Sequence, residues 1–181
     1  MSSKIVFITG ATSGIGAACA HTFASHGYNL ILNARKAVAL EELRFHLQTN
    51  YNIAVHTLCF DVRNRKAAKE ATSSLPSEFA SIDILINNAG LALGIDKEYK
   101  GNEEDYDTMI DTNITALLML TRMIVPQMVQ RGRGHIINIG SVAGDAAYPG
   151  GSVYCATKAA VKILSDGLRI DLVDTPLRVT N

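Results

Sequence analysis

The sequence predicts an α/β fold, a doubly wound parallel sheet with helices on both faces, in a single domain of 181 residues. Short β-branched runs alternate with longer amphipathic stretches, the signature of βαβ units. The runs are apolar at nearly every position, as expected of strands covered on both faces. A glycine-rich turn links the first run to the first amphipathic stretch, where an open α/β sheet presents backbone N–H groups at a helix start.

In order, residues 4–9 (KIVFIT) read as the first strand and 15–26 as the helix behind it. Residues 29–33 (NLILN) form a second strand, followed by a helical stretch through Gln48. A third strand spans 53–58, with a polar, alanine-rich helix over 63–75 that Pro76 closes, since proline lacks the N–H a helix needs. Residues 82–87 (IDILIN) are the fourth strand, 103–130 a long helix and 135–139 the fifth strand. A second long helix covers 152–174, and 177–180 (LRVT) opens a sixth strand. The chain stops at Asn181, which would leave that strand as a bare edge. The expectation is one catalytic domain over 1–181 from which a C-terminal segment is missing.

Lys+Arg and Asp+Glu both number 17, so the formal net charge is zero. That balance gives no electrostatic reason to expect nucleic acid or an anionic membrane as partner. No secretory segment and no apolar run of about 20 residues is expected, so the chain reads as cytoplasmic. Cys19, Cys59 and Cys155 are widely spaced and offer neither a disulfide framework nor a metal-binding pair. No metal site is expected.

Gly10, Thr12, Ser13, Gly14, Ile15 and Gly16 lie where the first strand hands over to its helix. A glycine at the turn lets the backbone reverse, and those at 14 and 16 let a pyrophosphate and a neighbouring strand approach without a Cβ clash. The helix start then offers unpaired N–H groups and partial positive charge to the phosphates. The spacing G-x-x-x-G-x-G departs from the commoner G-x-G-x-x-G but suits a Rossmann-type dinucleotide turn. After the second strand an NAD site would carry an acid to bind the ribose 2′-hydroxyl. Here Arg35 and Lys36 stand instead, and the nearest acid is Glu41. A guanidinium can grip a 2′-phosphate with paired charged hydrogen bonds, so the cofactor is read as NADP. The plainer alternative is two solvated cations at a helix start. Asp61 and Val62 follow the third strand, where a carboxylate can accept from an adenine amino group or cap the next helix.

Tyr154 and Lys158 are four residues apart on one helix face. A free phenol titrates at about 10, and a neighbouring ammonium favours its ionised form, which suits it to acid/base work. Ser141 ends the fifth strand at the carboxyl edge, where ligands of open sheets bind, and can hold a substrate oxygen toward Tyr154. Asn113 lies inside a long helix, where an amide is a poor helix former and could hold a water. Each has a plain alternative, a strand-end turn for Ser141 and a surface amide for Asn113. All four together point to an alcohol/carbonyl oxidoreductase.

These motifs (Thr9-Gly10-x-x-x-Gly14-x-Gly16, Asn87-Asn88-Ala89-Gly90, Asn113, Ser141 and Tyr154-x-x-x-Lys158) resemble the short-chain dehydrogenases/reductases over essentially the whole chain. The resemblance implies that Tyr154 is the general acid/base. Lys158 would hold the nicotinamide ribose and assist ionisation of the phenol, Ser141 would orient the carbonyl, and Asn113 would bind a proton-relaying water. Asn88, Ala89 and Gly90 would run beside the adenosine ribose. Residues 87–94 (NNAGLALG), 109–113 (MIDTN) and 134–144 (GHIINIGSVAG) are most similar to the NADP-dependent 3-hydroxy acid dehydrogenases. That likeness implies a short 3-hydroxy acid, such as serine or 3-hydroxypropionate, or its oxo partner, malonic semialdehyde in the second case. Reduction of ketoacyl thioesters, diketones or steroids stays open, as does a non-catalytic NADP(H) regulator, which would not need Tyr154. The resemblance also implies a homo-oligomer, a dimer or tetramer joined through the two long helices; those faces could instead simply pack on the sheet.

Overall fold

A computed structural model describes residues 4–181. Six strands form one sheet: β1 (Ile5–Thr9), β2 (Asn29–Ala34), β3 (Val55–Cys59), β4 (Ile84–Asn87), β5 (His135–Asn138) and β6 (Arg178–Thr180). Their order is β3-β2-β1-β4-β5-β6, and every neighbouring pair is parallel. The chain therefore winds outward from β1 to β3, returns, and winds the other way from β4. The reversal falls between β1 and β4, so a crevice opens beyond their carboxyl ends.

Side-chain alternation supplies both faces. Phe7, Ile31, Leu85 and Ile136 point to one side, against α3 (Arg65–Ser73) and α5 (Ala116–Arg131). Val6, Ile8, Leu30, Leu32 and Ile86 point to the other, against α1 (Gly14–Ser25) and α2 (Ala37–Asn50). The remaining helices are α4 (Glu103–Ile110) and α6 (Ser152–Asp171). Between sheet and helices runs a buried polar chain. Asn87 Nδ2 donates to Thr121 Oγ1 at 3.1 Å and to Asn138 Oδ1 at 2.9 Å, and Asn138 Nδ2 donates to Ser165 Oγ at 2.9 Å. These bonds pair polar groups that water cannot reach, leaving Asn87 Oδ1 without a partner among the described residues.

Several expected boundaries move. The long helix expected over 103–130 is α4 and α5 joined by a π-helical turn, Asp111–Thr115, that contains Asn113. The third helix starts at Arg65 rather than Arg63, because Asn64 caps it, its Oδ1 accepting from Ala67 N at 3.0 Å. Asp61 does not cap that helix; its side chain is taken by Arg63. β5 ends one residue early, and α6 ends at Asp171 rather than Asp174. One expectation on hydropathy is corrected: the continuous helical stretch Glu103–Arg131 holds a window of mean hydropathy 1.2, long and apolar enough to cross a membrane. Within the fold 56% of that window is buried, and Leu117, Leu120, Ile124 and Met128 face the interior.

Candidate active site

The site is assembled at the crevice from strand ends and helix starts. Gly10 turns the chain off β1 with φ of +62°, a conformation costly for any residue with a Cβ. Gly16, one turn into the helix, leaves no space at all: a Cβ there would fall 2.3 Å from the Gly10 carbonyl oxygen and 2.5 Å from Asn88 Nδ2. The missing side chain lets α1 run against the neighbouring strand end. Ser13 takes the N-cap position but its side chain caps no helical N–H among the described residues. The first N–H groups of α1 therefore face the cleft for another acceptor.

Thr9 staples the two sides of the crevice. Its buried Oγ1 accepts from Asn88 N at 3.0 Å and Ala89 N at 2.9 Å, while Asn88 Nδ2 donates to the carbonyls of Thr9 (2.8 Å) and Gly10 (3.0 Å). The Asn-Asn-Ala-Gly turn is thereby locked beside the glycine turn.

At the far end of the cleft Arg35 and Lys36 leave β2 exposed, opposite Asp61, Val62 and Arg63. Both Asp61 oxygens already accept from Arg63, with Nη2 to Oδ2 at 2.7 Å and Nε at 3.1 Å from each. The Arg63 side-chain hydrogen bonds hold the Asp61 carboxyl below the usual carboxylate range, with a smaller push from the charge on Arg35.

At the near end, Tyr154 sits half-buried in the first turn of α6 and lines the cleft, not the core. Lys158 lies one turn later, 7% exposed, its Nζ donating to the Ile139 carbonyl at 2.8 Å and standing 5.9 Å from the centre of the Tyr154 ring. Burial pushes the lysine pKa down from its ordinary 10.5. Ser141 opens a single tight turn, Val142–Gly144, and its Oγ accepts from Ala143 N at 3.1 Å. Its own O–H remains to donate. The residue that opens the strand-end turn also lines the cleft.

Asn113 is buried, 2% exposed, beside the cleft wall. Its Oδ1 accepts from Leu91 N (2.9 Å), and its Nδ2 donates to Leu91 O (2.9 Å) and Thr157 Oγ1 (3.0 Å). The buried amide braces the segment after Gly90 against α6: both Nδ2 protons are spent, while Oδ1 keeps one lone pair free for a further donor such as a water. It is neither a surface amide nor part of the cleft wall. The π-helical turn is what swings it inward, since widening the helix there shifts the residue off its regular face.

One cleft of about 750 Å³ gathers every residue expected at the site except Gly16 and Asn113, which lie behind its wall. Asn33, Thr112 and Arg63 line it without having been expected. Asn33 was visible as a polar residue in an apolar run; its Nδ2 ties the ends of β2 and β3 by donating to Leu58 O and Phe60 O, each at 3.0 Å.

A family model described as short chain dehydrogenase matches residues 4–181. The chain belongs to the short-chain dehydrogenase family. Among its relatives is the NADP-dependent 3-hydroxy acid dehydrogenase YdfG of Escherichia coli, 49% identical over 98% of this chain and 70% of that protein. The sulfoacetaldehyde reductase of Chromohalobacter salexigens is 45% identical over 97% of this chain and 69% of that protein. The closed form of serine dehydrogenase complexed with NADP+ superposes with a TM-score of 0.91 at 48% identity, covering 97% of this chain and 69% of that one. This short-chain dehydrogenase presents what a dinucleotide requires: a glycine turn with positive φ at Gly10 and Gly14 and no room for a side chain at Gly16, an uncapped helix start and a cleft open along the switch point.

Proposed function

We propose that the chain is an NADP-dependent oxidoreductase that interconverts a short 3-hydroxy acid and its 3-oxo partner. The observation that carries the reading is a single cleft with Tyr154, Lys158 and Ser141 at one end and the cations Arg35 and Lys36 at the other. A bound nicotinamide supplies or accepts the hydride. The Ser141 hydroxyl holds the substrate oxygen, and the Tyr154 phenol gives that oxygen a proton in reduction or takes one in oxidation. The Lys158 ammonium, anchored on the Ile139 carbonyl, keeps positive charge beside the phenol and so favours its ionised form. Asn113 fixes the segment at Leu91 against Thr157, which sits between Tyr154 and Lys158 on α6. Arg35 and Lys36 suit a 2′-phosphate.

The substrate class is supported by the relatives. A 3-oxo acid and sulfoacetaldehyde share a carbonyl set close to an anionic group, and proteins acting on each are over 40% identical to this chain. The test is reduced-nicotinamide absorbance with serine, 3-hydroxypropionate, malonic semialdehyde, sulfoacetaldehyde and uncharged carbonyls. Faster turnover of the carboxylates with NADP(H) is expected. Turnover confined to uncharged ketones, or only to the sulfonate, would replace this substrate assignment.

A second copy of the chain is the proposed partner. Ile163, Gly167 and Ile170 form one stripe on α6, with the two isoleucines 67% and 72% exposed and open space at the glycine. On α5, Leu118, Pro126 and Val129 also face outward. Apolar stripes of this kind on two long helices favour helix-to-helix association.

A further inference from the structure

The adenosine end of the cleft carries one more cation than the 2′-phosphate reading uses, and one carboxylate that works against it. Arg35, Lys36, Asp61 and Arg63 line the same end. A free carboxylate there would repel a phosphate dianion and offset part of the attraction of Arg35 and Lys36. Arg63 removes that conflict. Its Nη2 donates to Asp61 Oδ2 at 2.7 Å, its Nε lies 3.1 Å from both oxygens, and its own backbone N–H donates to Oδ1 at 2.9 Å. The two residues are separated only by Val62, so the pair forms locally, without folding a long segment. Nη1 of Arg63 reaches 3.4 Å to Thr108 Oγ1 on α4, fixing the guanidinium from the other wall. Arg35 and Lys36, by contrast, form no ion pair among the described residues.

We propose that Arg63 determines cofactor selectivity: by neutralising Asp61 it leaves Arg35 and Lys36 as the uncompensated charge, so a dinucleotide with a 2′-phosphate is preferred over one without. This rests on the NADP reading above. Arg63 is a positioning and charge-balancing residue, and its contribution concerns binding rather than the hydride step.

The test is equilibrium binding of NADPH and NADH to the purified chain, read by nucleotide fluorescence without substrate. The proteins are wild type, Arg63→Gln, Arg63→Lys, Asp61→Asn with Arg63→Gln, and Arg35→Asp. Arg63→Gln should weaken NADPH roughly three- to tenfold while NADH changes little, the scale set by loss of one partly exposed charge partner. Arg63→Lys should keep most of the preference, and adding Asp61→Asn to Arg63→Gln should restore the NADPH/NADH ratio toward wild type. Equal weakening of both nucleotides, or no rescue by Asp61→Asn, overturns the proposal and leaves Arg63 a structural tie between β3 and α4. Arg35→Asp separates the two ideas. If wild type favours NADPH and Arg35→Asp abolishes that while Arg63→Gln does not, only the Arg63 assignment falls. If wild type shows no NADPH preference, the NADP reading falls and takes this one with it.

Discussion

Tyr154 and Lys158 show how one helix turn concentrates chemistry. The ammonium is buried at a cost that its hydrogen bond to the Ile139 carbonyl partly offsets. Replacing Tyr154 by Phe keeps the ring and its packing but removes the proton donor. Turnover should fall by about 10²- to 10⁴-fold while NADPH binding stays within a few-fold of wild type. Fluorescence titration beside steady-state rates checks this, and turnover that survives would show the phenol is not the acid/base. At this scale the sequence was an incomplete guide to Asn113. Its identity and position in the chain were plain, but its three hydrogen bonds depend on Leu91 and Thr157, distant in the chain and brought together only by folding.

Among the elements, the turn that carries Ser141 meets α6 with no slack. A Cβ on Gly144 would fall 2.8 Å from the Lys158 carbonyl carbon and 3.0 Å from Ala159 N, both backbone atoms that cannot rotate away. Gly144→Ala should cost about 1–3 kcal/mol as overpacking and push Ser141 away from Tyr154. The expected result is a lower kcat with the NADPH dissociation constant nearly unchanged; a loss of melting temperature alone would make the contact mere packing. A second element-level prediction concerns β5 and β6. Arg178 can only donate, so its bond to His135 Nδ1 (3.0 Å) leaves the ring proton on Nε2, shared with Thr180 Oγ1 at 2.8 Å. Burial first, then the charge on Arg178, lowers the His135 pKa from its ordinary 6.5. Above 6.5 the ring is neutral folded or unfolded, and this contribution to stability is fully present. As pH falls below that value the unfolded chain takes the proton first, and stability is lost until the folded ring also protonates. Melting temperature should therefore drop on acidification from about pH 7 toward 5, and His135→Asn should flatten the slope in that window. An unchanged slope in the variant would dismiss His135 as its source.

For the molecule as a whole, the two sheet faces absorb most of the large apolar side chains, yet α5 and α6 keep apolar stripes outside. Size-exclusion chromatography with light scattering should give a dimer or tetramer, and Ile163→Glu with Ile170→Glu should lower the mass without unfolding the chain. A monomer in the wild-type protein would end the proposal. The order of the strands also explains the function-bearing geometry: because winding reverses between β1 and β4, the glycine turn and the Asn-Asn-Ala-Gly turn must be neighbours, and Thr9 bonds them.

The class of fold, the strands, the glycine turn and the residue types of the site were legible in the order of the amino acids. These follow from local steric and hydropathic rules: a period of two in strands, a missing Cβ at a turn, a four-residue repeat on a helix. Only folding brought Asn113, on its π-helical turn, against Leu91 and Thr157; the cap at Asn64 and the closing of Arg63 on Asp61 are short-range bonds, hidden because neighbouring residues offer the same groups. Folding also buried 56% of a helical window whose hydropathy would suit a membrane. The long-range outcomes depend on which groups compete for the same partner in space, and that competition begins only once distant parts of the chain have met.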